Sequence, residues 1–166
     1  MIKIGIINDP LGSSGFTPEE EAEEIALTLR SSGLASELVA HGNDLRAVQD
    51  KDIDVLIIDY GGMSVYGSFE SAEYNIRRAC EWAEEHPGKL MVIWTPFTAR
   101  AYEGELQDRF GHLDNILMRY DSEHYYDHGF IERIAVWTGE TLDRLTAIKA
   151  TNATTLTMKK LRPKTG

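Results

Sequence analysis

The sequence predicts a three-layer α/β fold, in which helices cover both faces of a parallel sheet, and three observations carry that prediction. Strand-like runs recur at Ile2–Asn8, Ala35–Ala40, Ile53–Asp59, Leu90–Trp94 and Asn115–Tyr120. Segments of helical period lie between them, and strands alternating with helices read as a parallel sheet. The chain of 166 residues is long enough for one domain with a substantial core and too short for two ordinary ones.

The elements follow in order. After the first strand, Thr17 is an N-cap, Pro18 takes the first helical position and Glu20 closes a capping box. Ala22, Ile25, Ala26 and Leu29 make that helix's apolar stripe, and Gly33 ends it. A short helix is expected over Asn43–Gln49. The next helix starts beside Glu70 and aligns Ala72, Ile76, Ala79, Cys80 and Ala83 on one face, with Pro87-Gly88 as the stop. Cys80 is the sole cysteine, so there is no internal disulfide, and its place on the stripe predicts a buried, small apolar role. A further helix is expected over Thr98–Phe110, with Ala99, Tyr102, Leu106 and Phe110 inward and Gly111 ending it.

Five β/α units by about residue 130 are most simply a flavodoxin-like sheet of order 2-1-3-4-5. Residues 131–158 form a C-terminal extension to the same domain, with an apolar run at Ile134–Trp137, a helix from Leu142 to Ala150 and a threonine-rich end. Whether it adds a strand, a helix or a contact to a second subunit is left open, so a homo-oligomer is one expectation. Trp94 and Trp137 are assigned to the core.

The formal charge is -10, and residues 159–166 carry Lys159, Lys160, Arg162 and Lys164 without an acid, so the first 158 residues sum to -14. An acidic body with a short basic tail argues against nucleic acid as the main partner, because phosphate binding needs a continuous basic surface. The apolar runs fall short of the roughly 20 residues that span a bilayer. The N-terminus shows no basic segment followed by an apolar signal core. No membrane contact and a cytoplasmic location are therefore expected.

Ligands of such sheets bind beyond the carboxyl ends of the strands, where strand order reverses. Two segments open there, Asp9–Phe16 and Tyr60–Ser68, and both are longer and richer in Gly and Ser than ordinary connections. They supply Asp9, Ser13, Ser14, Gly61, Gly62, Tyr66 and Ser68 as candidate ligand-binding residues, and Asp59 at the end of the third strand and Tyr125 after the fifth join them. The first segment matches neither phosphate-binding glycine motif, and Glu19, Glu20 and Glu21 at the following helix start would repel a phosphate. A hydroxyl-rich or neutral ligand, or one bridged by a metal, suits it better. Glu70 falls in the first turn of its helix away from the apolar stripe, whereas Glu73 lies on the flank. A carboxylate at a helix N-terminus stays ionised, as a nucleophile must.

The stretch Asp59 with Gly67-Ser68-Phe69-Glu70, an alanine-bearing helix and then Gly88-Lys89 resembles nucleoside 2-deoxyribosyltransferases and related N-glycosidases over about a third of the chain. The first strand ends in Asp9-Pro10 where that family has a Gly-Pro turn. The resemblance implies a flavodoxin-like fold, a nucleoside or nucleotide-like small molecule as partner, N-glycosidic cleavage or transfer, and Glu70 as the nucleophile that attacks the anomeric carbon.

A second resemblance competes. Asp9 and Asp59 at strand ends, with Thr95 after the fourth strand, are similar to response-regulator receiver domains, in which carboxylates hold magnesium. Arg119 and Asp121 stand where that family has a lysine, and one acid rather than two ends the first strand. Asp9 and Asp59 remain candidate ligands for a hard cation such as magnesium. His124 and His128 fit a polar rim better than a transition-metal site. A degenerate receiver-like signalling module and a non-catalytic interaction domain with an acidic surface are the alternatives to the glycosidic reading.

Overall fold

The computed structural model describes residues 1–8, 17–59, 69–93, 104–118 and 130–161, and for 59, 69–73, 118 and 130–139 the backbone alone. Its strands are β1 (Ile2–Asn8), β2 (Ser36–Gly42), β3 (Val55–Asp59), β4 (Leu90–Ile93) and β5 (Ile116–Met118). All pairings are parallel and the order is β2-β1-β3-β4-β5, the flavodoxin-like arrangement that the sequence predicts.

The helices are α1 (Pro18–Ser31), α2 (Phe69–Glu85), α3 (Glu105–Phe110) and α4 (Phe130–Leu161). They divide the core between the two faces of the sheet. Ile4, Ile6, Val55, Ile57, Leu90 and Val92 pack with Ile25 and Leu29 of α1 and with Leu145 and Ile148 of α4. Ile7, Leu56, Ile58, Met91 and Ile93 pack with Ile76, Cys80 and Trp82 of α2 and with Leu106 and Phe110 of α3. The strands are apolar nearly throughout because both of their faces are covered. Six isoleucines and valines of β1 and β3, Ile4, Ile6, Ile7, Val55, Ile57 and Ile58, are at 0% exposure, and the polar side chain buried with them is Asn8 at the end of β1.

Helix α1 starts as expected. Thr17 Oγ1 accepts from the Glu20 backbone N–H, and Glu20 Oε2 accepts in return from the Thr17 N–H, both at 3.2 Å. Gly33, at φ 106°, makes the left-handed turn into the next strand.

Three segments differ from expectation. The helix predicted over Asn43–Gln49 is a single 3-10 turn, Leu45–Ala47, capped by Asp44; it buries only Leu45 in its own span, too little for a longer helix. The helix predicted from Thr98 is described only from Glu105, because Gly104 precedes it at φ 66°, outside helical backbone; residues 98–103 lie outside the described residues. The C-terminal extension is one helix of 32 residues, which joins the apolar run, the expected helix and the threonine-rich end and takes in Lys159 and Lys160. Trp94 lies outside the described residues, and Trp137 is described by its backbone alone.

Among the described residues no helix is long and apolar enough to cross a membrane.

Candidate functional site

Strand order reverses between β1 and β3, so the helices that follow them, α1 and α2, lie on opposite faces of the sheet. The carboxyl ends of these two strands therefore flank the crevice where ligands of such sheets bind. The last residues of the strands, Asn8 and Asp59, are register partners. Asp9, next in the chain after Asn8, is thus one residue from a position paired with Asp59.

Glu70 is the second residue of α2, in the first turn of the helix that follows β3. Asp9, Ser13, Ser14, Gly61, Gly62, Tyr66, Ser68 and Tyr125 lie outside the described residues, as do Thr95, Arg119, Asp121, His124 and His128.

Beside the crevice the structure assembles a polar cluster at the end of β1 from Asn8, Glu21 and His41. Asn8 and Glu21 are both at 0% exposure, and His41 is half-buried. The Asn8 amide nitrogen donates to the Pro18 carbonyl at 2.9 Å and to Glu21 Oε1 at 3.1 Å. Two acceptor oxygens on that side fix the orientation of the amide, so its oxygen faces His41 Nε2 at 2.6 Å. A carbonyl oxygen only accepts, so Nε2 carries the proton. His41 Nδ1 has no hydrogen-bond partner among the described residues. In the neutral ring Nδ1 is a lone-pair acceptor.

A bulge in β2 makes this cluster possible. Ile4 pairs with Leu38 but Gly5 pairs with Ala40, so Val39 is an extra residue and His41 stands beside Ile6. Ile6 faces α1, and Asn8, two residues on, faces the same way. Without the extra residue His41 would pair with Ile7 and its ring would lie on the other side of the sheet.

Of the carboxylates at the start of α1, Glu20 is held by the capping box and Glu21 is buried against Asn8. After β2, Asp44 caps the 3-10 turn. A side-chain hydrogen bond from Arg46, with Nη2 at 2.7 Å, holds the Asp44 carboxyl below the usual carboxylate range.

The sequence carries a signal for Glu21, since it stands four residues before Ile25 and eight before Leu29, on the buried stripe rather than the solvent side. Asn8 closes an apolar strand and is visible as the first polar residue at its end. His41 has no such signal, because its orientation depends on the bulge.

No protein-family model, curated protein or solved structure matches this chain.

Proposed function

We propose that the protein binds a nucleoside or nucleotide-like small molecule beyond the carboxyl ends of β1 and β3 and cleaves or transfers its N-glycosidic bond. The supporting observation is the reversal of strand order at β1/β3, together with Glu70 in the first turn of the helix that leaves β3. A first-turn carboxylate is stabilised in its ionised form by the helix dipole. In this reading Glu70 attacks the anomeric carbon, the C–N bond breaks, and the base departs with its electron pair and takes up a proton. Water, or a second base, then displaces the carboxylate from the sugar.

Asp9 and Asp59 would hold ribose hydroxyls or a cation, with Ser13, Ser14, Gly61, Gly62 and Ser68 lining the sugar and Tyr66 and Tyr125 against the base. The test is base release from a panel of nucleosides, nucleotides and dinucleotides, read by chromatography. Glu70→Ala should abolish release at a stability cost of about 0.3 to 1 kcal/mol, the worth of a first-turn glutamate. Glu73→Ala should leave turnover within about an order of magnitude, a loss of under roughly 1.4 kcal/mol in barrier. Release that survives Glu70→Ala unchanged, or no release from any substrate by wild-type protein, overturns the glycosidic step. A thermal shift with nucleosides but no release leaves a binding protein. A magnesium-dependent response to a phosphate mimic instead identifies the receiver-like alternative.

A further inference from the structure

Helix α4 packs on the body along only the first part of its described length. Thr141, Leu145 and Ile148 are buried on its body-facing side, and Asn152 reaches the turn at Gly88, where a Cβ would meet its Nδ2 at 2.8 Å. Every residue from Ala153 to Leu161 is exposed. At 1.5 Å per residue these nine positions carry the helix about 14 Å past the last contact.

The side turned away from the body has no charge over four turns. Ala147, Ala150, Thr151, Thr154, Met158 and Leu161 follow one another at steps of three, one, three, four and three, and all are exposed, Met158 at 61% and Leu161 at 73%. The three lysines of the segment, Lys149, Lys159 and Lys160, fall on the other side. A solvated helix face ordinarily carries its charges outward, and here the pattern is inverted. The threonines are also satisfied within the helix: the hydroxyls of Thr151 and Thr154 donate to the carbonyls of Ala147 and Ala150 at 3.0 Å, and neither needs water. The threonines are weak helix formers, so the exposed turns that carry them gain stability from being packed.

We propose that this face pairs with a second copy of the chain, as an antiparallel helix pair with its two-fold axis near Thr154. The face is self-complementary in that arrangement. Its first half is small (Ala147, Ala150) and its second half large (Met158, Leu161), so the large residues of one copy lie over the small ones of the other, as an isologous interface requires. Charge favours the same direction. In an antiparallel pair Lys159 and Lys160, in the last turn of the helix, run toward the partner's Asp143, which is exposed, and toward a body of formal charge -14. A parallel pair would set the two basic ends against each other. The helix face is about 22 Å long. That is small for a permanent dimer, and it sets the expected affinity in the micromolar range.

The experiment is sedimentation of the full chain from about 10 to 500 µM, a range that brackets micromolar association, combined with single cysteines. Wild-type protein should pass from monomer to dimer. Thr154→Glu and Met158→Glu should each weaken association by at least about tenfold, as removal of a central contact does. Leu156→Ser, on the opposite side of the helix, should not. Thr154→Cys should form an intermolecular disulfide on mild oxidation, and Ala147→Cys should do so only when mixed with Leu161→Cys. Cys80 is buried and does not compete. A monomer throughout the range overturns the proposal, as does a dimer insensitive to Met158→Glu, or an Ala147→Cys chain that crosslinks to itself, which is the mark of a parallel pair. Base release by the Met158→Glu monomer is a separate measurement, so this inference and the glycosidic reading fail independently.

Discussion

Two buried asparagines sit at opposite ends of the sheet, and their partners separate structure from candidate chemistry. Asn115, before β5 at the amino-terminal end, donates through Nδ2 to the carbonyls of Ala83, His86 and Lys89 at 2.8, 3.1 and 2.9 Å. All three acceptors are backbone, so the side chain closes the end of α2 and the turn into β4. Asn8, at the carboxyl end, contacts one backbone carbonyl and two titratable side chains. Backbone acceptors need only a donor, and an asparagine supplies it at no electrostatic cost. A fully buried glutamate behind an asparagine and a histidine is an expensive way to close a helix start, because burying a carboxylate costs several kcal/mol unless it is compensated.

The largest expected effect breaks this comparison directly. Asn115→Ala removes the side-chain donor that three backbone carbonyls share in a site at 4% exposure, and should cost about 2 to 4 kcal/mol in chemical denaturation. Glu21→Gln removes a buried charge but keeps an oxygen for the Asn8 amide, and should change stability by less than about 1 kcal/mol. If the cluster serves a nucleoside site, the same variant should also lose any thermal shift that nucleosides give to the wild-type protein. Were Glu21→Gln to destabilise as much as Asn115→Ala, the two ends would be alike and the cluster would be structural.

The same two ends explain what was legible in the sequence. Strand order, the two covered faces and the α1 cap follow from apolar runs, helical period and the Thr17-Pro18-Glu20 signature, which are local signals. The C-terminal helix was legible only in part, because its outward face is apolar where a helical stripe is normally sought on the inward one. The Asn43–Gln49 turn looked helical by composition, yet it buries a single side chain in its three residues. At the site, Glu70 and Asp59 were legible as residues next to a predicted strand end. The Asn8–Glu21–His41 cluster was not, since it needs β1, β2 and α1 in register, and a one-residue bulge that no local pattern encodes.

A smaller effect sharpens the contrast between buried groups with and without a polar setting. Cys80 lies in the apolar cluster with Ile76, Ala79, Trp82 and Ala83, and burial pushes its thiol up to about 12, with nearby Glu81 adding to the rise. The folded value exceeds the ordinary one of 9.0, so the stability it represents is complete below pH 9 and is lost as pH rises from there toward 12. Over that window wild-type protein should lose up to about 1.4 kcal/mol per pH unit relative to Cys80→Ala, measured as urea unfolding free energy. Parallel pH profiles for the two proteins would show that the thiol ionises freely in the fold. In the folded protein at pH 8 the thiol should resist alkylation, and unfolding should expose it.

The smallest effect tests whether the charges at the amino-terminal end matter by contact or by burial, and Asp52 and Asp54 make a matched pair. Lys3 Nζ donates to Asp52 Oδ2 at 2.6 Å, but the Asp52 side chain is 78% exposed. Asp54 is half-buried, and its Oδ2 accepts from the Lys3 backbone N–H at 2.9 Å at the start of β1. The shorter contact should matter less, because water and salt screen an exposed pair, while Asp54 holds a backbone donor that has no strand partner in its place. Asp52→Asn should therefore leave the melting temperature almost unchanged, and Asp54→Ala should lower it clearly. The side-chain hydrogen bond from Lys3 and then its charge hold the Asp52 carboxyl below its ordinary value. Any contribution is present above the ordinary carboxylate pKa and lost as pH falls through the depressed one. The small difference between wild type and Asp52→Asn should accordingly appear near neutral pH at low salt, vanish in strong acid, and vanish at neutral pH when salt is raised. A difference that persists in high salt would mean that Asp52 acts through packing rather than charge, and the two acids would then have to be ranked by burial alone.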